Sequence, residues 1–354
     1  MRRGWLNIPD FTPSAASPKT MVSILIAARN EEDKIHLTIE DILNQDYPKD
    51  LFELIVVDDH STDQTSKIIK SYASQGVKLM QLNEKKPLNS YKKKAISEAI
   101  QLSKGELIIT TDADCRMKPF WLKTMVDCYE QNNFNLISAP VIYFEEKSLF
   151  EKLQTLEFLY LIGLGAAGIG NKMPSTCNGA NLAYKKSVFI KLDGFKGIDD
   201  LASGDDELFL HKVAHAYPGS IGFCKAEEAI VFTHAKPNLK EFLQQRKRWA
   251  SKSVKYKDVK IIALAISYWL FNVTLISNLI FGLFNPIFFK LACIQFIIKF
   301  ILEIFYLKPL LSFAKRKSLM ILLILLTFLH VLYLVYIGIL GNSGKYHWKG
   351  RMVK

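Results

Sequence analysis

Apolar and polar positions divide the chain into stretches with different periods. From Met21, short β-branched runs alternate with segments of helical spacing. The run Met21-Val22-Ser23-Ile24-Leu25-Ile26 predicts a strand that ends in Ala27-Ala28-Arg29-Asn30-Glu31-Glu32. Residues 33–45 place Ile35, Ile39, Ile42 and Leu43 on one helical face and close at Tyr47-Pro48. A buried strand follows at 54–57, a helix near 63–74, a short strand at 77–80 and a helix at 91–103. Gly105 breaks the pattern before the strand at 107–111. Strand–helix alternation of this kind predicts an α/β fold with a doubly wound, mostly parallel sheet.

Beyond residue 115 the periodicity weakens. Residues 148–170 combine apolar spacing with Gly163, Gly165, Gly168 and Gly170, which suits either an interfacial helix or a buried one. After Trp249 the pattern changes again. A basic stretch (Lys252, Lys255, Lys257, Lys260) leads into an apolar run at 261–284, and Asn285-Pro286 turns the chain. A second run, 287–307, carries Lys290, Lys299 and Glu303, so its polar face should pack against protein. The third run, 319–340, is broken only by Thr327 and His330. About three membrane segments are therefore expected in 261–340. The basic loops at 252–260 and 315–317 both favour the cytoplasmic side. A third full span would put the basic tail outside, against its own charge. Either that segment is re-entrant or in-plane, or the tail breaks the tendency.

Composition narrows the class. The 354 residues carry a net charge of +12, and the mean hydropathy is positive. Together these favour an integral membrane protein over a soluble enzyme. No nucleic-acid motif accompanies the charge, so nucleic acid is not an expected partner. The five cysteines are scattered without a CxxC pair, which supports neither zinc nor a disulfide framework. Residues 1–20, with Pro9, Pro13 and Pro18, predict a poorly ordered leader. The start lacks the apolar core of a signal peptide, which places the first domain in the cytoplasm, at an inner membrane if the source is bacterial.

The chemistry concentrates in two acidic clusters. Asp58-Asp59 follows the 54–57 strand, and Asp112-Ala113-Asp114 follows the 107–111 strand. Open α/β sheets bind ligands at such carboxyl ends. Alternating carboxylates on extended backbone point the same way and suit a hard divalent cation on a diphosphate.

Four motifs in order resemble the family 2 inverting glycosyltransferases of GT-A fold, in the membrane-bound branch related to cellulose, hyaluronan, poly-N-acetylglucosamine and ceramide glycosyl transfer. They are Asp58-Asp59, Asp112-Ala113-Asp114, Gly204-Asp205-Asp206-Glu207-Leu208 and Gln245-Arg246-Lys247-Arg248-Trp249. The resemblance implies a GT-A domain at 21–240, a basic interfacial helix at 241–260, membrane helices at 261–340 and a basic tail at 341–354. It also implies a UDP-sugar donor, a lipid or glycan acceptor at the membrane, and Mg²⁺ or Mn²⁺ as cofactor.

Roles carry over by position. Ala27, Arg29, Glu31 and Asp58 would hold the nucleoside. Lys92 would meet the diphosphate, although Lys93 and Lys94 adjoin it. Asp112 and Asp114 would ligate the metal, with Ala113 between them and His234 as a further candidate. Alignment through Leu208 puts the general base at Asp205, with Asp206 as the neighbouring alternative and Gly204 where the family keeps a glutamate. The same acids also suit a helix N-cap. Asn178 and Gly179 would lie beneath the donor sugar. Gln245, Arg248 and Trp249 would serve the diphosphate and the acceptor. The tail Trp348-Lys349-Gly350-Arg351 is similar to that of some lipid-glycosylating members. It favours a lipid acceptor, with a processive polysaccharide synthase as the alternative.

Overall fold

The computed structural model describes residues 1–14, 16–84, 88–340, 346–348 and 351–353. In chain order the first half contains α1 (Arg2–Asn7), β1 (Val22–Ala28), α2 (Ile35–Leu43), β2 (Phe52–Asp58), α3 (Thr65–Ser71), β3 (Lys78–Gln81), α4 (Tyr91–Leu102) and β4 (Leu107–Asp112). Then come β5 (Arg116–Met117), α5 (Trp121–Asn132), β6 (Leu136–Ser138), β7 (Val141–Tyr143), α6 (Leu149–Gly170), β8 (Leu182–Lys185), α7 (Lys186–Lys191), α8 (Glu207–Ala216), β9 (Ile221–Phe223), β10 (Val231–Thr233) and α9 (Leu239–Ala250). The C-terminal part is α10 (Val259–Phe281), α11 (Pro286–Phe313), α12 (Leu323–Leu340) and the antiparallel pair β11 (Tyr346–Trp348) and β12 (Arg351–Val353). The basic-tail signature at 348–351 falls partly outside the described residues.

The main sheet has the order β3-β2-β1-β4-β8-β6-β9. Its first four strands are parallel, and β8 runs antiparallel to both neighbours. Side chains alternate across it. Ile24 and Ile26 of β1 pack with Ile35 and Ile39 of α2, while Leu25 packs with Ile96 and Ile100 of α4. Register does the rest: Ala28 pairs with Asp58 and Ala27 with Asp112, so two acidic strand ends flank the end of β1. A separate small sheet has the order β5-β10-β7.

The glycine-rich helix α6 is a buried one. It has the length and composition to cross a membrane, yet 67% of its apolar window lies inside the protein. Its glycines permit close approach. A Cβ at Gly163 would stand 2.4 Å from Leu310 of α11, and one at Gly170 would stand 2.0 Å from the Gly4 carbonyl. A third apolar cluster joins Leu153 and Leu156 of α6 to Leu307 and Leu310 of α11 and Leu323 of α12. It welds the sheet domain to the C-terminal helices.

The leader differs from expectation. Residues 2–7 form a helix whose Trp5 is only 2% exposed, seated edge-on against Phe223 and Phe313. Proline content gave no sign of the aromatic anchor at Trp5, nor of the Phe11 N–H bound to the Lys225 carbonyl at 2.8 Å.

Val259–Phe281 and Lys317–Ile339 are also long and apolar enough to cross a membrane. The helix between them, α11, carries its charges as expected in part. Lys299 and Glu303 pair at 2.7 Å, buried between helices, and Thr327 donates to Glu303, whereas Lys290 is exposed. A buried pair of this kind satisfies itself within the protein rather than in lipid.

Candidate active site

A cavity of about 450 Å³ opens at the carboxyl ends of β1 and β4. Ala27, Ala28, Arg29 and Glu31 line one side, with Asp112, Ala113 and Asp114 beside them. Arg29 donates to the carbonyls of Asp59 and His60 at 2.7 and 2.8 Å, stitching two strand-end loops together. The two acids of the first motif take different directions. Asp58 is 3% exposed and its Oδ1 accepts from the Ser61 backbone N–H at 3.1 Å. Asp59, not Asp58, lines the cavity. Asp58 holds the loop through that bond, and Asp59, which the sequence reading placed in the motif without a role of its own, is the residue that lines the cavity.

The three adjacent lysines separate cleanly. Lys92 stands 2.8 Å from Asp112 Oδ1 and 3.3 Å from Asp205 Oδ2. Burial would lower its pKa, but these two carboxylates more than reverse that and hold the ammonium charged. Lys93 turns inward and donates to the carbonyls of Ile198, Leu201 and Ser203 at 2.5, 2.8 and 2.7 Å, fixing the loop that leads to Gly204. Lys94 makes an exposed helical pair with Glu98.

That loop carries the third motif. Gly204 has φ +84°, a conformation that favours glycine, and a Cβ there would meet Leu208 at 2.9 Å. A side chain at this position would be strained. Asp206 caps α8, accepting from the Glu207 N–H at 2.6 Å and from the Gly179 N–H at 3.0 Å, with Lys252 3.4 Å away. Burial would raise its pKa, but Lys252 and those two N–H groups outweigh it and hold the carboxyl down to about 2. A carboxylate so fully engaged is a weak base. Asp205 faces only Lys92 among the ion pairs of the described residues. Behind them Glu207, 2% exposed, accepts from Thr176 at 2.5 Å and from the Tyr256 hydroxyl, and pairs with Lys252 at 3.2 Å. Lys252, Tyr256 and Glu207 all line the cavity. They pair across long sequence separations, and no local spacing announces them.

Gly179 links two walls: its N–H meets Asp206 and its carbonyl accepts from Thr110 at 2.8 Å. Asn178 turns its side chain back onto the Ala180 N–H at 2.9 Å. Helix α9 is pinned by Arg246, which forms a buried bidentate pair with Glu157 of α6 and also donates to Gln245 at 2.6 Å. The guanidinium lies 4.2 Å from the Trp249 ring and 4.5 Å from Phe242. Trp249 also meets Phe158 at 5.8 Å, which stacks on Tyr143 at 4.3 Å. Trp249 and Arg248 both line the cavity. His234 lines it too, tilted against Phe144 at 4.5 Å; burial and Lys34 lower its pKa and favour the neutral ring.

Among the described residues, no three His, Cys, Asp or Glu side chains converge as a ready cage for a metal. The donor set still fits Mg²⁺ or Mn²⁺ on a nucleotide. Such an ion takes one or two carboxylates and draws its other ligands from phosphates and water. The Asp112 side chain is 42% exposed toward the cavity.

Fold and site together define a nucleotide-sugar-dependent glycosyltransferase, and the chain belongs to glycosyltransferase family 2. The profile of "Glycosyl transferase family 2" matches residues 23–193. A probable glycosyltransferase of Bacillus subtilis, YdaM, is 30% identical over 313 residues, covering 85% of this chain and 70% of that one. The β-monoglucosyldiacylglycerol synthase of a Nostoc species is 31% identical over 118 residues, but the match spans only 33% of this chain and 25% of the synthase. Among solved structures, the mannosyltransferase PcManGT of Pyrobaculum calidifontis, in complex with GDP-Man and Mn²⁺, superposes with a TM-score of 0.56 at 19% identity, over 94% of this chain and 92% of that one. The likeness establishes the GT-A fold.

Proposed function

We propose that the chain transfers a sugar from a UDP-sugar, with inversion, to a hydroxyl group of a lipid or lipid-linked acceptor at the membrane. One observation carries this most directly. Lys92 bridges Asp112 and Asp205, so the diphosphate motif and the base motif meet at one point. Asp112 and Asp114 would hold Mg²⁺ or Mn²⁺, which when bound offsets charge on the leaving diphosphate. Lys92 would turn from Asp112 toward a phosphate, which frees Asp205. Asp205 takes the proton of the acceptor hydroxyl as its oxygen bonds to the sugar C1. The bond from C1 to UDP breaks on the opposite face, and UDP leaves. Asp206 stays ionised on α8 and holds the Gly179 loop in place. The lipid acceptor is favoured by helices long and apolar enough to cross a membrane next to the site, and by a glycolipid synthase among the relatives.

The test is UDP release from purified full-length protein across a panel of UDP-sugars and lipid extracts. Release should need a divalent ion and vanish in Asp114→Asn. Full activity in excess EDTA overturns the metal assignment. Products that lengthen processively on a gel would favour the polysaccharide synthase alternative.

A further inference from the structure

Between α9 and α10 the chain makes a helical turn, Ser251–Lys255, that lies against the loop carrying Asp205. Side chains tie the two together. Lys255 pairs with Asp200 at 2.5 Å, Ser203 donates to the Arg248 carbonyl at 3.3 Å, and the Tyr256 hydroxyl donates to Glu207. At the centre stands Lys252, 8% exposed, with Nζ 3.4 Å from Asp206 Oδ1 and 3.2 Å from Glu207 Oε2. Burial would lower its pKa, but the two carboxylates outweigh that and keep the ammonium charged.

Both of those carboxylates are themselves joints. Asp206 caps α8 and accepts from the Gly179 N–H, while Glu207 accepts from Thr176. One turn along α8, His211 bonds the Ser175 carbonyl at 2.7 Å. The segments 175–179, 204–207 and 251–256 therefore converge on one ammonium. Asp205 sits directly ahead of the clamped pair and directly after Gly204. Its Oδ2 lies where a Cβ at Gly179 would be only 3.4 Å away, so the carboxylate is placed by backbone on both sides. Without Lys252, two adjacent buried carboxylates would face each other with no cation between them, and the 205–207 backbone would have to shift. A displacement of about 1 Å at a reacting group costs on the order of a hundredfold in rate.

We propose that Lys252 is a positioning residue for the transfer: through Asp206 and Glu207 it fixes the Asp205 carboxylate against the incoming acceptor. This rests on the assignment of Asp205 as the base. Lys257 and Asp258 alone separate Tyr256 from α10, so the base loop hangs from the residues that lead into the first C-terminal helix able to cross a membrane.

The experiment uses the full chain in nanodiscs. Transfer is read as UDP release with the donor and lipid extract that the panel above selects, and titration with UDP counts the folded donor sites, so that kcat is expressed per site. Lys252→Met should lower kcat per site roughly tenfold or more while the Kd for UDP stays within about twofold of wild type. Lys252→Arg, whose guanidinium fork spans two carboxylates, should recover most of the loss. Where Lys252→Met fails to fold, Lys252→Gln, an uncharged donor at the same position, carries the same expectation. Lys257→Met removes an exposed charge from the same stretch and should change nothing. A kcat per site at the wild-type level without the Lys252 charge, or an equal fall in Lys257→Met, overturns the role of Lys252 alone. So does a loss of UDP affinity that matches the loss of kcat, which would make Lys252 a diphosphate ligand instead. Wild-type turnover by Asp205→Asn overturns the base assignment and the Lys252 role with it.

Discussion

One wall of the catalytic cavity is carried by β1 and β4, where backbone register aligns Ala27 with Asp112. The facing wall is carried by the 204–207 loop and the 245–256 segment, where side-chain pairs do the holding: Lys93 on three carbonyls, Lys252 on Asp206 and Glu207, Tyr256 on Glu207, Arg246 on Glu157. Strand pairing has many small contributors and tolerates the loss of any one. The second wall hangs on a few buried charges, each of which costs several kcal/mol if its partner is removed. The β1–β4 wall is thus the more tolerant one. The facing wall, next to the apolar C-terminal helices, is where single substitutions should move the chemistry.

The largest expected break is Asp205→Asn. It should lower kcat by roughly 10²–10⁴, the usual range for loss of a general base, with donor binding nearly intact. If Asp206→Asn is instead the dead variant and Asp205→Asn turns over, the roles of the two are exchanged. Next is Arg246→Met, which strands Glu157 in a buried site. It should cost about 3–5 kcal/mol in thermal or denaturant unfolding, whereas Ile26→Val, the loss of one carbon within the sheet wall, should cost only about 1 kcal/mol.

Asp206 supplies a pH test. Its carboxyl falls to about 2 in the folded protein from 3.8. Its stabilising contribution is therefore present above about pH 4 and is lost as pH falls towards 2, roughly 2 kcal/mol in all. Melting temperatures from pH 5 down to pH 2.5 should show Asp206→Asn losing stability less steeply than wild type; parallel curves would refute this. Smallest is Tyr256→Phe, which removes one of three partners of Glu207. A loss of about 1 kcal/mol, seen as a several-fold lower kcat with unchanged donor KM, is expected. An equal fall in stability with kcat untouched would make Tyr256 structural only.

The same contrast explains what the sequence disclosed. Strands at 22–28 and 107–112 were legible because β-branched runs and acidic ends are local signals, and the four motifs placed the cavity. Asp58 and Asp59 could not be told apart, since the choice of face depends on how the loop turns after the strand; the Ser61 N–H takes Asp58. Among three consecutive lysines, helical phase alone could not say that Lys92 meets Asp112 and Lys93 the 198–203 carbonyls. Glu157 with Arg246, and Lys252 with Glu207, lie 89 and 45 positions apart, separations at which spacing carries no information. Helix α6 was ambiguous for a related reason: its glycines allow close packing against protein, and only the partner segments show that this is their use.

The seating of Trp5 has a consequence for the making of the chain. Its aromatic neighbours are Phe223 and Phe313, and α1 abuts Gly170. At ordinary rates of synthesis, about 5–20 residues per second, some 15–60 seconds separate the emergence of Trp5 from that of Phe313. During that interval the tryptophan has no complete socket, and the helix bearing it must wait beside a growing chain. Helix α1 is made long before Phe313 and is locked only after it. Its closure joins α1 to the end of α11 only after the chain through Phe313 exists.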